Sequence, residues 1–186
     1  MPRFARMASA RLNLGCGPHP PPGWINADIR PYPGVDLCGD VQHGLALPDG
    51  AVDIAVAIHL LQDLPWGAIP PLLAELRRVL RPGGLLRIGV PDLERAIAAY
   101  HRGDAAYFHV PDEDARSLGA KLVTQITWYG SVRTPFTFDY AREQLERTGF
   151  RHVVRCAYRE TAHPRPEIVE LDTRERESLF VEAQAP

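Results

Sequence analysis

Leu12-Asn13-Leu14-Gly15-Cys16-Gly17 reads as a short buried strand running into a glycine turn. Two residues without Cβ let backbone approach a ligand closely or take φ > 0. In open α/β sheets ligands sit outside the carboxyl ends of the strands, and the turn after the first strand is the usual place. An ordinary tight turn has the same composition, so the residues that follow decide. Three acids follow: Asp28 ending the second strand, Asp40 after the third, and Asp53 opening the fourth. A carboxylate at a strand's carboxyl end can accept hydrogen bonds from ribose hydroxyls. A dinucleotide site would want Gly-x-Gly-x-x-Gly and an acid about 20 residues on. Here Pro20 holds the third glycine position and Asp28 follows Gly17 too soon, which argues against NAD. Further along, His59 ends a buried strand and is either a satisfied histidine or a functional group at the ligand edge. Asp92 is a helix cap or a base. Trp128-Tyr129-Gly130 suits core packing or a pocket wall. Arg174-Glu175-Arg176-Glu177 reads as a solvated face of alternating charge.

These groups need a frame. Residues 1–10 read as a loose arm and 11–15 as the first strand. Pro18-His19-Pro20-Pro21-Pro22-Gly23 cannot be helical, because proline lacks the N–H and clashes with the preceding turn. A proline loop thus stands where a βαβ unit would place a helix, and Trp24–Asp28 is the second strand. Val35-Asp36-Leu37 is a short third strand. Val52–Ile58 is a dense apolar run, suited to a parallel strand buried on both sides. Residues 70–80 form a helix, with Pro70 and Pro71 in its first turn and Leu72, Leu73, Leu76, Val79 and Leu80 on one stripe. Arg81-Pro82-Gly83-Gly84 stops it, and Leu85–Val90 is the next strand. Asp92 is placed to cap a second helix, a third is expected near residues 113–127, and Asp139 is placed to cap a fourth, with a Glu143/Arg147 pair on its outer face. Val153–Tyr158 and Leu179–Ala183 close the order. The expectation is one α/β domain over residues 1–186: a Rossmann-like, doubly wound, mostly parallel sheet of about seven strands with a late antiparallel strand.

The bulk composition narrows the class. The chain has 186 residues, 45% hydrophobic and 24% charged, which is globular rather than disordered. A net charge of -2 and the lack of a basic stripe argue against tRNA, rRNA or DNA as partner. Three separated cysteines (Cys16, Cys38, Cys156) form neither a disulfide framework nor a zinc motif, so no metal is expected. No run approaches the ~18 apolar residues of a membrane span, and a reducing cytoplasm is the default compartment. The 18 prolines sit mostly between periodic segments, as stiff loops do.

Leu-Asn-Leu-Gly-Cys-Gly, Gly-Trp-Ile-Asn-Ala-Asp-Ile, Gly-Asp-Val, Leu-Pro-Asp-Gly-Ala-Val-Asp, Arg-Val-Leu-Arg-Pro-Gly-Gly and Val-Pro-Asp-Leu occur in this order. Together they resemble the class I S-adenosylmethionine-dependent methyltransferases, in particular a small bacterial group with a shortened first helix. The resemblance covers residues 11–93 firmly and the rest loosely. It implies S-adenosylmethionine as cofactor, with Asn13, Leu14, Gly15, Cys16 and Gly17 at its methionine part. Asp28, with Ile29 beside it, would hold the ribose, Asp40 and Val41 would flank the adenine, and Ile58 and His59 would line the wall beside the sulfonium. The chain departs from the family pattern at Asn13, where an acid is usual, at His19, where a third glycine is usual, and at Gln62-Asp63, where Glu-His is frequent.

Methyl transfer asks mainly for positioning, since the sulfonium already activates the methyl. His59, Asp92 and Tyr129 are the candidate bases. The stretch 91–138 is expected to cover a small or medium-sized acceptor. Within it Tyr107, Phe108, His109, Trp128, Tyr129, Arg133 and Phe136 put aromatic surface beside a cation, with Trp128, Tyr129 and Arg133 as candidate acceptor contacts. Other readings are a module that binds S-adenosylmethionine and transfers nothing, or an enzyme doing non-methyl chemistry with it, such as cyclisation. Neither the acceptor nor the oligomeric state is legible here.

Overall fold

The dense run Val52–Ile58 (β4) is the middle of a seven-stranded sheet in the computed structural model, which describes residues 10–186. Its neighbours are Arg11–Leu14 (β1) and Leu80–Pro91 (β5), both parallel to it. Its two faces are buried differently. Ala55 and Ala57 join the main core, while Ile54 and Val56 pack with Trp24, Leu85 and Ile168 on the other side. Burial on both faces is why the run shows no polar alternation.

Outside β1 lie Ile25–Asp28 (β2) and the two-residue Leu37–Cys38 (β3); outside β5 lie Ser178–Gln184 (β7) and then Arg151–Cys156 (β6). The order is β3-β2-β1-β4-β5-β7-β6, with β7 antiparallel to both its neighbours. This is the mostly parallel sheet with a late antiparallel strand that the sequence implies. Its switch point falls between β1 and β4, where a ligand crevice belongs.

Ile69–Val79 (α1) and Phe138–Arg147 (α4) cover one face. The α1 stripe Ile69, Leu72, Leu73, Leu76 and Val79 is buried on Leu12, Leu14, Ala55 and Leu86, at ~1.5–3 kcal/mol per large apolar side chain. The other face is covered by the irregular segment 157–177, including a single 3-10 turn at Pro166–Val169. Arg87, in the middle of β5, fastens it. Its guanidinium is fully buried, binds Asp172 through two contacts of 2.7 and 2.5 Å, and donates to Glu182 at 2.6 Å. It also donates to the carbonyls of Ala157 and Glu160, and lies 4.9 Å from the Phe180 ring. Asp172 and Glu182 in turn accept from the backbone N–H groups of Arg159 and Ala162.

Several expectations are corrected. Ala10 does not belong to a loose arm: it is buried, and its N–H donates to Asp53. Residues 1–9 lie outside the described residues. Asp53 sits at the amino end of β4, paired with Arg81 at 2.9 Å, so it has no place at the ligand edge. Leu118–Thr127 (α3) begins at its Ser117 cap, later than the apolar spacing suggested. The cap of α4 is Thr137, and Asp139 sits in the first turn instead. Among the described residues no helix is long and apolar enough to cross a membrane.

Candidate functional site

The glycine turn after β1 and the loop after β4 meet at the switch point. Gly15 and Gly17 adopt φ of +69° and +68°, the left-handed region where only glycine is free of strain. A Cβ on Gly15 would lie 3.2 Å from Leu60, just past His59, whereas one on Gly17 would meet nothing within 4 Å. The turn is therefore packed against the β4 loop at Gly15 and open at Gly17.

Asp28 ends β2 beside it. One carboxylate oxygen accepts from the Gly17 N–H at 2.8 Å and the other from the Arg30 N–H at 2.9 Å. Each oxygen keeps a second lone pair on a half-buried side chain, so a diol can still be accepted. Asp40 caps the turn Val41–His43, accepting from Gln42, which holds its pKa below the usual carboxylate range. Val41 packs on the main core, and Ile29 stands exposed next to Asp28. A fixed carboxylate, an open glycine backbone and apolar flanks fit the ribose, methionine and adenine parts of S-adenosylmethionine. Two implied contacts take other roles. Asn13 is buried inside the sheet, where its amide donates to Asn26, which in turn holds the carbonyls of Pro21 and Trp24. Leu14 is fully buried in the core. Both shape the turn from below. Cys16 lies half-buried in the turn, its thiol pushed up by burial and by Asp28.

Leu93–His101 (α2) and α3 form a separate cap beyond the carboxyl end of β5, packed on each other through Ala96, Ala99, Tyr107, Phe108 and Leu122. Between cap and sheet lies a cavity of about 280 Å³. His59, Gln62, Asp63 and Asp92 form its sheet side, and Tyr107, Gln125, Ile126 and Trp128 its cap side. Arg174 and Glu177 complete the wall from the segment before β7. The cap is tied down where the chain leaves α3: Arg133 and Thr134 donate backbone N–H groups to the Gln62 carbonyl at 2.8 and 3.0 Å. Three residues of this wall, His59, Trp128 and Arg174, hold positive φ of 55°, 41° and 56°. Strain of this kind, which costs of order 1–3 kcal/mol each, clusters at functional sites.

The candidate bases separate in this setting. His59 lines the cavity, is held by its N–H to the Gly89 carbonyl, and its Nε2 lies 2.9 Å from Ser178 Oγ. Burial, then the Arg174 charge, lowers its pKa to about 4. Asp92 is the cap of α2, accepting from the Arg95 N–H, and its carboxylate pairs with Arg155 at 2.5 Å. A carboxylate so engaged acts structurally, as the cap reading has it. Tyr129 is exposed, and its hydroxyl donates to Asp114 at 2.7 Å, away from the cavity wall. Arg133 is also exposed, and it is its backbone that contributes. Of the three aromatic and cationic candidates, Trp128 alone is in the wall. Sequence reasoning missed Gln62, Gln125, Arg174 and Glu177. The last two read in sequence as a solvated charge face; Arg174, Glu175 and Arg176 are indeed exposed and Glu177 is half-buried, but Arg174 and Glu177 also border the cavity.

A family model described as a methyltransferase domain matches residues 16–88. An uncharacterized 37.1 kDa protein in a transposon of Streptomyces fradiae is 33% identical over 120 residues, covering 52% of this chain and 34% of that protein. A probable methyltransferase of Aspergillus luteorubrus is 45% identical over 49 residues, covering 26% of this chain and 17% of that one. The chain thus spans 34% and 17% of the length of these curated relatives. A solved S-adenosylmethionine-dependent methyltransferase from Archaeoglobus fulgidus superposes with a TM-score of 0.62 at 15% identity, over 95% of this chain and 86% of its own, a likeness of fold. With the strand order and the glycine turn already in view, the match over residues 16–88 is a likeness to methyltransferase domains, carried by the half of the sheet that holds the glycine turn.

Proposed function

We propose that this chain moves the methyl group of S-adenosylmethionine onto a small-molecule acceptor held in the cavity beside His59. The observation that carries the reading is the contact between the two loops at the switch point. The glycine turn that would receive the methionine part abuts Leu60, next to the histidine that lines the cavity. A methyl donor on one side and an acceptor on the other would then meet there.

Bound S-adenosylmethionine supplies an electrophilic methyl on a sulfonium. The chain supplies the rest. Asp28 accepts from the ribose hydroxyls, in charge-assisted bonds worth ~1.5–3 kcal/mol each. The open backbone at Gly17 admits the methionine portion. Residues 91–138, as the cap, exclude water and orient the acceptor. His59 takes or orients a proton on the acceptor side. A cavity of this size suits a small molecule and not a polymer.

The test is product analysis after incubating the chain with S-adenosylmethionine and a fractionated metabolite extract. S-adenosylhomocysteine must form with a methylated compound of stoichiometric yield. Cofactor binding without any S-adenosylhomocysteine across all fractions would favour the non-transferring module.

A further inference from the structure

Two buried hydrogen-bonding atoms of the cavity wall lack partners among the described residues: His59 Nδ1 and Gln62 Oε1. Native structures rarely leave such atoms unpaired, at a cost of about 1–3 kcal/mol each. The chemistry of both is settled by their neighbours. Ser178 Oγ has one proton, and the carbonyls of Arg174 and Thr173 converge on it at 2.8 and 3.3 Å. That proton goes to a carbonyl, so at 2.9 Å His59 Nε2 must be the donor and Ser178 Oγ the acceptor. His59 is thereby held as its Nε2–H tautomer, with a bare lone pair on Nδ1. The Gln62 side chain is buried, its amide is the end that acts on the Asp63 carboxylate, and its carbonyl oxygen is left without a partner. Both orphans are therefore acceptors, and what completes them must bring donors.

The rest of the wall sets the body of that ligand. Trp128, Tyr107, Ile126 and Val132 are apolar or aromatic, and of the carboxylates beside them Asp92 is paired with Arg155 and Glu177 with Arg174, while burial raises the Asp63 pKa. A cavity of ~150 Å³ holds benzene, so about 280 Å³ holds a substituted ring. Arg174 is the charge His59 feels, which disfavours a cationic amine at Nδ1 and favours an oxygen that gains negative charge.

Resting on the reading of this cavity as the acceptor site, we infer that the acceptor is a small, flat, uncharged hydroxylated ring. One hydroxyl donates to His59 Nδ1 and a second donor meets Gln62 Oε1, so that methyl transfer is to oxygen. In the step, the hydroxyl oxygen forms a bond to the methyl carbon and the carbon–sulfur bond breaks with its electron pair left on sulfur. The hydroxyl proton passes to Nδ1 and then to solvent. A weakly basic imidazole suffices, because an oxygen gaining a methyl becomes strongly acidic as the bond forms. Ser178 is a positioning residue that fixes the tautomer.

The experiment uses catechol, guaiacol and veratrole, rings of similar size with two, one and no hydroxyl donors. Binding is measured by ligand-observed NMR on the full chain with S-adenosylhomocysteine present. Each donor lost should weaken binding roughly fivefold. Gln62→Met, checked for folding by circular dichroism, should erase one of the two steps. In nitrogen-resolved NMR of the free chain at pH 7, His59 should show a protonated Nε2 and an unprotonated Nδ1. Veratrole binding as tightly as catechol, full discrimination surviving in Gln62→Met, or a protonated Nδ1 would each overturn the inference while S-adenosylhomocysteine still binds. Absence of S-adenosylhomocysteine binding overturns the methyl-transfer reading instead.

Discussion

Asp28 and His59 illustrate how residue type and neighbours divide the work of this site. Asp28 is held by two backbone N–H groups and offers its remaining lone pairs outward. Asp28→Ala should weaken S-adenosylmethionine at least about tenfold in calorimetry with the fold unchanged. Unaltered affinity would move the ribose site elsewhere. Substituting the glycines would be less informative, since positive φ strains any replacement whatever it does to the ligand. His59 carries a stability signature. Its folded pKa is about 4 against an ordinary 6.5, so below pH 6.5 the unfolded chain takes up a proton that the folded chain refuses. Stability should be unaffected by this group above pH 6.5, fall by on the order of 1.4 kcal/mol per pH unit below it, and level off past pH 4. The groups around the ring are Arg174, which favours the neutral form, the Ser178 hydroxyl, and the cavity carboxylates of Asp63, Asp92 and Glu177. His59→Asn, which tolerates the positive φ, should remove this component from a pH series of urea midpoints. An identical pH profile in the two proteins would show that His59 titrates normally.

At the scale of elements, legibility followed locality. Strands β1, β2 and β4, helix α1 and the Asp92 cap were readable because periodicity, prolines and caps act within a few residues. The start of α3 and the cap of α4 were displaced because several Ser, Thr and Asp residues compete for each cap, and local sequence does not rank Thr137 over Asp139. Arg87 was opaque. A lone arginine within Leu85–Val90 gives no hint that Asp172 and Glu182, far along the chain, will surround it. For the same reason nothing local signals that Arg174, itself exposed, and Glu177 border the cavity. The Arg87 network is the sole described tie between a central strand and segment 157–177 that is both charged and fully buried. Asp172→Ala would leave the guanidinium partly unpaired in the interior, at a cost of about 3–5 kcal/mol. Because segment 157–177 also carries Arg174 to the cavity, this variant should lose catechol binding as well as urea resistance. A midpoint shift of under ~1 kcal/mol would mean that water reaches the guanidinium and replaces the carboxylate.

Across the whole molecule, the donor and acceptor halves of the site rest on different packing. The glycine turn, Asp28 and the β4 loop stand on the main core, continuous from β1 through β7 with α1 and α4. The α2–α3 cap has its own small cluster, and its ties to the rest are polar. They include Asp92 and Glu94 with Arg155, Arg95 with the carbonyls of Glu175 and Arg176, Arg176 with the Ala106 carbonyl, the Leu93 N–H with the Phe136 carbonyl, and the Gln62 carbonyl with the chain leaving α3. Such ties can be exchanged for water, at about 0.5–1.5 kcal/mol net per neutral hydrogen bond and about 1.5–3 kcal/mol where a charged group takes part. The cap should therefore open as a unit well below the free energy of global unfolding. Native-state hydrogen exchange is expected to show amides of residues 96–101 and 121–127 at least ~10-fold less protected than those of β4 and β5, with a common opening free energy across both helices. S-adenosylhomocysteine alone should protect the glycine turn, and a ring that fills the cavity should protect the cap, because it bridges Trp128 to His59 across the gap. Equal protection of cap and sheet in the free chain would instead make the acceptor cavity part of one rigid body, admitting its ligand without any opening of the cap.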